Sequence, residues 1–105
     1  MDVKYRLIID PAFERLLSNA MRYIRETYGN PVAAERLAVR VHSAIRERLS
    51  NPLGYPIHRA SPPNDPYRHI IVQKYIVFYK VVANVMYVRF IFHGSRDLEK
   101  LLDYD

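Results

Sequence analysis

The fold is decided by residues 67–97, which read YRHIIVQKYIVFYKVVANVMYVRFIFHGSRD. Three runs in this stretch are dominated by Val, Ile, Phe and Tyr, the residues that pack well on the pleated surface of a sheet. Short breaks separate the runs at Gln73-Lys74 and Ala83-Asn84, and Asn tolerates the backbone conformation that a tight hairpin requires. The pattern therefore predicts an antiparallel meander with strands at 67–73, 75–82 and 86–93.

Side-chain alternation along the last of these strands predicts which residues face the core. One face is entirely apolar and is expected to lie under helices: Val88, Phe90 and Phe92. The other face mixes aromatic, basic and titratable groups and is expected to point outward or into a shallow groove: Tyr87, Arg89, Ile91 and His93. Lys80, in the preceding strand, is expected to join Arg89.

Two amphipathic helices are predicted before the meander. Asp10-Pro11 begins the first helix and Gly29 ends it, because Asp caps free amides, Pro suits the first helical position and Gly suits the stop. Asn30-Pro31 repeats the start signal at once, and so short a link predicts an antiparallel pair. The predicted apolar stripes are Phe13, Leu16, Leu17, Ala20, Ile24 and Tyr28 in the first helix, and Ala34, Leu37, Ala38, Val41, Ala44, Ile45 and Leu49 in the second.

The other segments complete a single α+β domain over residues 1–105. Residues 3–9 alternate as a first strand, and residues 50–66 hold five of the seven prolines and predict a long connecting loop. Ser95 is placed to cap a short final helix at 96–102.

Composition excludes several classes of protein. The chain has no cysteine, so it forms no disulfide and uses no thiolate chemistry. No apolar run is long enough for a membrane span, and no signal peptide pattern follows Met1. We therefore expect a cytoplasmic protein that does not associate with membranes, and no metal or other cofactor is expected.

The positive charge is concentrated in one part of the chain. Residues 31–80 carry eight Lys and Arg against three carboxylates, a net charge of +5 that equals the net charge of the whole chain. Such an excess favours an anionic partner, either nucleic acid or an acidic protein. The eight residues are Arg36, Arg40, Arg46, Arg48, Arg59, Arg68, Lys74 and Lys80.

Three stretches carry a resemblance to a known family: YGNPVAAERL at 28–37, YRHIIVQKYIVFYKV at 67–81 and FIFHGSRD at 90–97. In this order, at this spacing and in a chain of this length, they resemble the RelE/ParE superfamily of bacterial toxins from type II toxin–antitoxin modules. The resemblance covers nearly the whole chain and implies the same α+β fold. It implies family positions at Arg68, Tyr79, His93, Gly94, Arg96 and Asp97.

One branch of this superfamily, the RelE type, cuts messenger RNA on the ribosome. Resemblance to it implies His93 as the acid or base, with Arg68 and Arg96 holding phosphate oxygens. Further contacts to the target or to phosphate would come from Lys74, Lys80, Arg89 and Arg59. The chain departs from this branch twice, because Ile76 stands where a catalytic Arg is found and Leu102 where a Tyr is found.

The HGSRD exit at 93–97 looks closer to the ParE branch, which poisons DNA gyrase and is not known for nuclease chemistry. This resemblance implies a growth-inhibiting toxin of the plasmid stabilisation type, in which the same residues contact the target. It also implies a hetero-oligomer with an acidic antitoxin that wraps the basic window. Two alternatives stay open from the sequence, a ribosome-dependent endoribonuclease and a basic binding module without either activity.

Overall fold

A computed structural model describes residues 4–59 and 61–94. The elements in chain order are β1 (Arg6–Ile9), α1 (Pro11–Tyr28), α2 (Pro31–Arg48), β2 (Arg68–Val72), β3 (Tyr75–Val82) and β4 (Val85–His93). The four strands form one sheet in the order β1-β4-β3-β2. β1 runs parallel to β4, and the other two pairings are antiparallel. The predicted α+β fold is confirmed, and the final helix expected at 96–102 lies outside the described residues.

The helix boundaries follow the predicted capping signals. Asp10 accepts a hydrogen bond from the backbone N–H of Ala12 at 2.8 Å, and Gly29 takes the left-handed conformation with φ of 59°. The side chain of Asn30 accepts from the N–H of Ala33 at 3.0 Å, so only Gly29 and Asn30 lie between α1 and α2. These caps satisfy amides that would otherwise lack partners, and they fix the antiparallel helix pair.

The main core lies between the helix pair and one face of the sheet. Leu37 and Val41 of α2 pack with Phe13 of α1 and with Val77 of β3. Of the predicted stripes, the residues that are buried are Phe13, Leu17, Ala34, Leu37, Val41 and Ile45. Tyr28 is 69% exposed, so its predicted burial was wrong. As the last residue of α1, it extends beyond the packed part of the helix pair, and its ring lies against Tyr23 instead.

A β-bulge changes the predicted faces of β4. Phe78 of β3 pairs with Phe90, but the next residue, Tyr79, pairs with Val88, so Arg89 is an extra residue in the strand. The bulge reverses the alternation, and Ile91 joins the main core with Val88. Phe90 and Phe92 instead form a second cluster with Tyr67 and Phe78 on the other face of the sheet. The expectation that Phe90 and Phe92 share a face with Val88, with Ile91 outside, was therefore wrong. Ala12 and Leu16 of α1 nevertheless pack against the second cluster.

The two hairpin turns have the predicted positions, but the residues with left-handed backbone conformation are not the predicted one. The meander strands are joined by Gln73-Lys74 and Ala83-Asn84, as expected. The left-handed backbone falls on Gln73, with φ of 56°, and on Ala83, with φ of 53°, rather than on Asn84. The first strand is also shorter than predicted, because β1 begins at Arg6 and neither Lys4 nor Tyr5 is in a strand.

Candidate functional site

Two cations on the face opposite the helices are already paired with carboxylates. Lys80 forms an ion pair with Asp65, and its Nζ lies 5.4 Å from the centroid of the Tyr67 ring. The hydrogen bond from Lys80 lowers the pKa of Asp65 below its usual value. Nε of Arg89 lies 3.1 Å from Oδ2 of Asp10, an ion pair without hydrogen-bond alignment. An anion binding at either cation would therefore compete with a resident carboxylate.

These cations share a shallow pocket, as the sequence predicted. Its volume is about 350 Å³. The lining residues are Asp10, Lys80, Val82, Tyr87 and Arg89. Lys80 pairs directly with Tyr87 across the β3–β4 ladder, and the bulge brings Arg89 to the capping residue of α1. The pocket is therefore built where the start of α1 meets β4.

A second group, the arginine network, consists of Arg48, Pro52, Tyr55, Arg68 and Tyr79. Nη1 of Arg48, in the last turn of α2, donates to the Tyr79 hydroxyl at 3.0 Å and to the His69 carbonyl at 2.9 Å. The Tyr79 hydroxyl in turn donates to the carbonyl of Pro52 at 2.7 Å. Burial raises the pKa of Tyr79, while the neighbouring Arg48 opposes the shift. Tyr79 therefore works here as a buried hydrogen-bonding group.

The same network holds the loop after α2. The guanidinium carbon of Arg48 lies 3.4 Å from the centroid of the Tyr55 ring, a close cation–π contact. Nε of Arg68 donates to the Tyr55 carbonyl at 2.9 Å. Ile57 then forms an isolated antiparallel bridge with Arg68, next to the edge of β2. Arg68 is therefore half-buried, and part of its hydrogen-bonding capacity is used within the chain.

A histidine pair attaches this loop to the sheet. The rings of His58 and His69 meet edge to face with centroids 4.7 Å apart, and His58 also contacts Phe78 at 5.1 Å. Burial lowers the pKa of both histidines; the positive charges of His69 and Arg59 add to the shift at His58, and that of Arg48 adds to the shift at His69. The fold therefore favours the neutral form of both rings.

This pair predicts a loss of stability in mild acid. Because the folded pKa of each histidine is below the unfolded value of 6.5, the stabilisation is fully present above that pH and is lost as the pH falls through the folded pKa values. Urea unfolding measured between about pH 7.5 and about pH 5 is expected to show this decrease. His58→Gln is expected to flatten the profile. An unchanged slope in His58→Gln would contradict the assignment.

A third group, the tyrosine groove, is lined by Tyr23, Tyr28, Lys74, Tyr75 and His93. The groove encloses about 630 Å³ at the end of the molecule where α1 meets α2. Tyr23 and Tyr28 stand edge to face with centroids 5.8 Å apart, and Tyr75 and His93 do the same at 5.3 Å. The backbone N–H of Gly94 donates to the Lys74 carbonyl at 2.8 Å, which ties the β2–β3 turn to the end of β4.

The sequence-predicted site residues do not form one group. Arg68 pairs with Tyr79 on β3, whereas His93 pairs with Tyr75, four residues earlier, which separates them by roughly 13 Å along the strand. Both tyrosines belong to the core under the helices, so Arg68 and His93 lie on the helix side of the sheet. Lys80 lies on the opposite side with Arg89. The remaining positions are Lys74 in the β2–β3 turn, Arg59 exposed in the loop, and Arg96 outside the described residues.

The expectation of one exposed face shared by Arg68, Arg89 and His93 was therefore wrong. The bulge at Arg89 and the four-residue offset along β3 are the physical reasons. The sequence interpretation also missed the roles of Tyr23, Tyr28, Tyr55 and Arg48. The position of Tyr28, directly before the helix-ending Gly29, could have predicted its exposure at the end of α1. No neighbouring residue distinguishes Tyr55 in a similar way.

Within 4–59 and 61–94, no group of three or more His, Cys, Asp and Glu side chains is placed to hold a metal ion. In the same residues, neither α1 nor α2 is apolar enough to cross a bilayer.

Comparison with known proteins identifies the family. A family model described as the ParE toxin of the type II toxin–antitoxin system parDE matches residues 7–98. A search of curated proteins gave no match. The matched region runs from the second residue of β1 to beyond the end of β4, so it contains both helices and nearly all of the sheet. The resemblance to the RelE/ParE superfamily is confirmed, and a type II system implies an antitoxin partner. The chain belongs to the ParE toxin family of type II toxin–antitoxin systems.

Proposed function

We propose that this toxin inhibits growth by poisoning DNA gyrase, and that a cognate acidic antitoxin neutralises it in a cytoplasmic hetero-oligomer of the plasmid stabilisation type. The observation that supports gyrase over messenger RNA is the separation of His93 from Arg68, Lys80 and Arg89. Lys74 lines the same groove as His93, but it is a single cation among the described lining residues. Ribonuclease chemistry needs an acid or base within hydrogen-bond reach of the reacting atoms, together with cations at the same phosphate. Within 4–59 and 61–94, Arg68 and His93 are separated along β3, and Lys80 and Arg89 lie across the sheet.

A binding poison does not need such convergence. It needs a contact surface whose charges complement the target, and charges around such a surface mainly steer association. Arg59 and Lys74 are exposed and are proposed as target contacts. Arg68, His93 and Arg96 are proposed contacts as well. Lys80 and Arg89 would contribute only by exchanging Asp65 and Asp10 for an acidic group of the target.

The outer face of α2 supports the proposed antitoxin contact. Val32 and Val39 are 59% and 64% exposed, and the exposed Arg36 and Arg40 lie on the same face of the helix. An acidic amphipathic segment would cover the valines with its apolar side and pair its carboxylates with the arginines. Such a segment would become ordered on binding, as disordered partners commonly do.

A supercoiling assay tests the proposal. The purified chain is expected to stop purified DNA gyrase from supercoiling relaxed plasmid DNA, and the antitoxin is expected to restore the reaction. The double variant Arg59→Ala/Lys74→Ala is expected to need a several-fold higher concentration for half-inhibition, because it loses two steering charges. Arg22→Ala is the matched control, since Arg22 is an exposed arginine on α1 outside the basic window.

Two other outcomes would contradict the gyrase target. If supercoiling continues while a defined message is cleaved on translating ribosomes, the toxin is a RelE-type endoribonuclease. If neither reaction responds to folded protein, the chain is a binding module without either activity.

A further inference from the structure

We propose that the outer edge of β1 pairs with the same edge of a second copy of this chain, so that the two sheets join across a two-fold axis. The two strands are antiparallel, with Leu7 of one copy opposite Leu7 of the other. A second copy fits this edge because the strand is complementary to itself in its hydrogen bonds, its side chains and its terminal charges. The inference goes beyond the inhibition of gyrase and does not depend on it.

The two edges of the sheet differ in how their outer backbone groups are paired. The edge strands are β1 and β2. The loop after α2 and the end of that helix cover the β2 edge, because the N–H of His58 donates to the Tyr67 carbonyl at 2.6 Å and Arg48 donates to the His69 carbonyl at 2.9 Å. No such hydrogen bond is made to the outer edge of β1 in the described part of the chain. An uncovered edge of this kind is a template for pairing with another strand.

The pairing of β1 with β4 determines which backbone groups face this edge. The N–H of Arg6 donates to the Asn84 carbonyl at 2.8 Å, and that of Asp10 donates to the Val88 carbonyl at 2.9 Å. Because the bonding direction alternates along a strand, residues 6, 8 and 10 face β4, whereas residues 5, 7 and 9 face outward. A two-fold axis at Leu7 therefore brings the outward groups of both copies into register, with about six hydrogen bonds between the chains.

The side chains that this register brings together are complementary. Tyr5 lies opposite Ile9 of the second copy, an aromatic and β-branched pair of the kind that stabilises sheets, and the two Leu7 side chains meet at the axis. On the opposite face, Ile8 lies beside the aliphatic stem of the second copy's Arg6. Leu7 and Ile8 are each 37% exposed in the single chain, so both faces of β1 present apolar surface that a second strand covers.

The charges at the two ends of the strand also fit an antiparallel partner. Lys4 precedes β1 and Asp10 follows it, so the axis at Leu7 places Lys4 of each copy opposite Asp10 of the other. Asp10 is already paired with Arg89, and the added ammonium group gives its carboxylate a second cation. A parallel pairing would instead place like charges side by side, which is unfavourable.

The packing of the helices leaves room for a neighbour but limits the strength of the contact. α1 packs over β4 and α2 over β2, and Arg6, Leu7 and Ile8 of β1 are exposed. A contact made by residues 4–10 is smaller than the roughly 1,600 Å² of a standard interface, so a weak dimer with a dissociation constant of about 0.1 mM is expected. Two chains that each carry a net charge of +5 repel one another, so added salt is expected to favour association.

Sedimentation equilibrium of the purified chain tests the association. In about 0.3 M salt, the parent chain is expected to change from 12.4 kDa towards twice that mass between about 10 µM and about 1 mM. Leu7→Lys places two ammonium groups at the axis and is expected to weaken the dimer about fivefold or more. Ile71→Lys is the matched control, because Ile71 is an exposed residue of the other edge strand, and it is expected to leave the association unchanged.

Cysteine cross-linking tests the register, because the chain has no cysteine of its own. Opposite residues in a hydrogen-bonded pair have Cα atoms about 5.5 Å apart, within the range of a disulfide, whereas diagonal neighbours about 7–8 Å apart lie beyond it. Leu7→Cys is therefore expected to form a disulfide-linked dimer with oxidised glutathione several-fold faster than Ile8→Cys. The two positions are equally exposed, so random collision would cross-link both at the same rate.

The proposal is overturned if the parent chain stays monomeric at the highest of these concentrations, if folded Leu7→Lys associates as tightly as the parent chain, or if the two cysteine variants cross-link at the same rate. Leu7→Cys keeps the test decisive should Leu7→Lys fail to fold. If the parent chain is monomeric and Leu7→Lys loses binding to the antitoxin, the edge belongs to the antitoxin and the proposal is wrong. Because these measurements contain no gyrase, their failure would not affect the supercoiling result, and the reverse also holds.

Discussion

Leu37→Ala is expected to lower the free energy of unfolding by about 2–5 kcal/mol, the range for removing a buried leucine side chain from a packed core. Leu37 is 1% exposed and lies among the helix and strand residues of the main core. The loss combines the transfer of the removed methyl and methylene groups with the cavity that they leave. For a domain of this size, whose total stability is of the order of 5–15 kcal/mol, the variant would be close to unfolding at elevated temperature.

Val39→Ala is the matched control for this prediction. Val39 lies two residues away on the same helix but is 64% exposed. Its substitution is expected to change stability by less than about 0.5 kcal/mol, since alanine also has the higher helix propensity. Urea denaturation followed by circular dichroism measures both values. Equal losses in the two variants would show that α2 does not present Leu37 to the core.

Local signals were sufficient to predict the helices and the meander. The Asp10-Pro11 and Asn30-Pro31 pairs, with Gly29 between them, fixed the helix boundaries because capping involves only neighbouring residues. The two breaks in the β-rich stretch likewise gave the hairpin turns. Each of these features depends on the preferences of a few consecutive residues, which a single sequence contains.

The faces of β4 could not be predicted in the same way. Alternation holds from Met86 to Val88 and then shifts by one residue at Arg89. A bulge depends on how two strands pair, and no residue near Arg89 signals it in the sequence. The extra residue also brings the Arg89 side chain to Asp10, so a capping carboxylate acquired a partner from a distant strand.

The candidate sites were harder still, because they depend on sheet order and register. His93 and Lys74 meet because the end of β4 pairs with the start of β3, and Tyr28 joins them only when α1 packs over that edge. Arg68 lies elsewhere, at the edge of β2, where Ile57 in the loop after α2 forms a bridge with it. The sequence supplied the chemically capable residues, and tertiary contacts decided which of them are neighbours.

The long loop is also held to the sheet by a hydrogen bond that its composition did not indicate. Residues 50–66 were expected to be a connection without periodic structure. In the structure, the first part of this loop is fixed to the sheet through the buried hydroxyl of Tyr79, which donates to the Pro52 carbonyl at 2.7 Å. A tyrosine in a β-rich run predicts burial, but its hydrogen-bond partner is 27 residues away in the chain.

Tyr79→Phe is expected to lower the free energy of unfolding by about 1–3 kcal/mol, although it removes a single oxygen atom. The change leaves the Pro52 carbonyl without its donor and takes one acceptor from Nη1 of Arg48. Because the Pro52 carbonyl is buried, most of the loss is the desolvation penalty of an unpaired acceptor. The loop that begins at Pro52 is expected to become more sensitive to limited proteolysis, and both effects are measured on the purified chain.

A double-mutant cycle with Arg48→Met tests whether Arg48 and Tyr79 act as one network. Their bond of 3.0 Å makes them direct neighbours, so the two losses are expected to be non-additive by about 0.5–3 kcal/mol. Tyr55→Phe is the control, because it keeps both the ring above Arg48 and the carbonyl that accepts from Arg68. Its stability is expected to stay within about 0.5 kcal/mol of the parent chain. Strictly additive losses at Arg48 and Tyr79 would mean that the loop is held by other contacts, such as the bridge between Ile57 and Arg68.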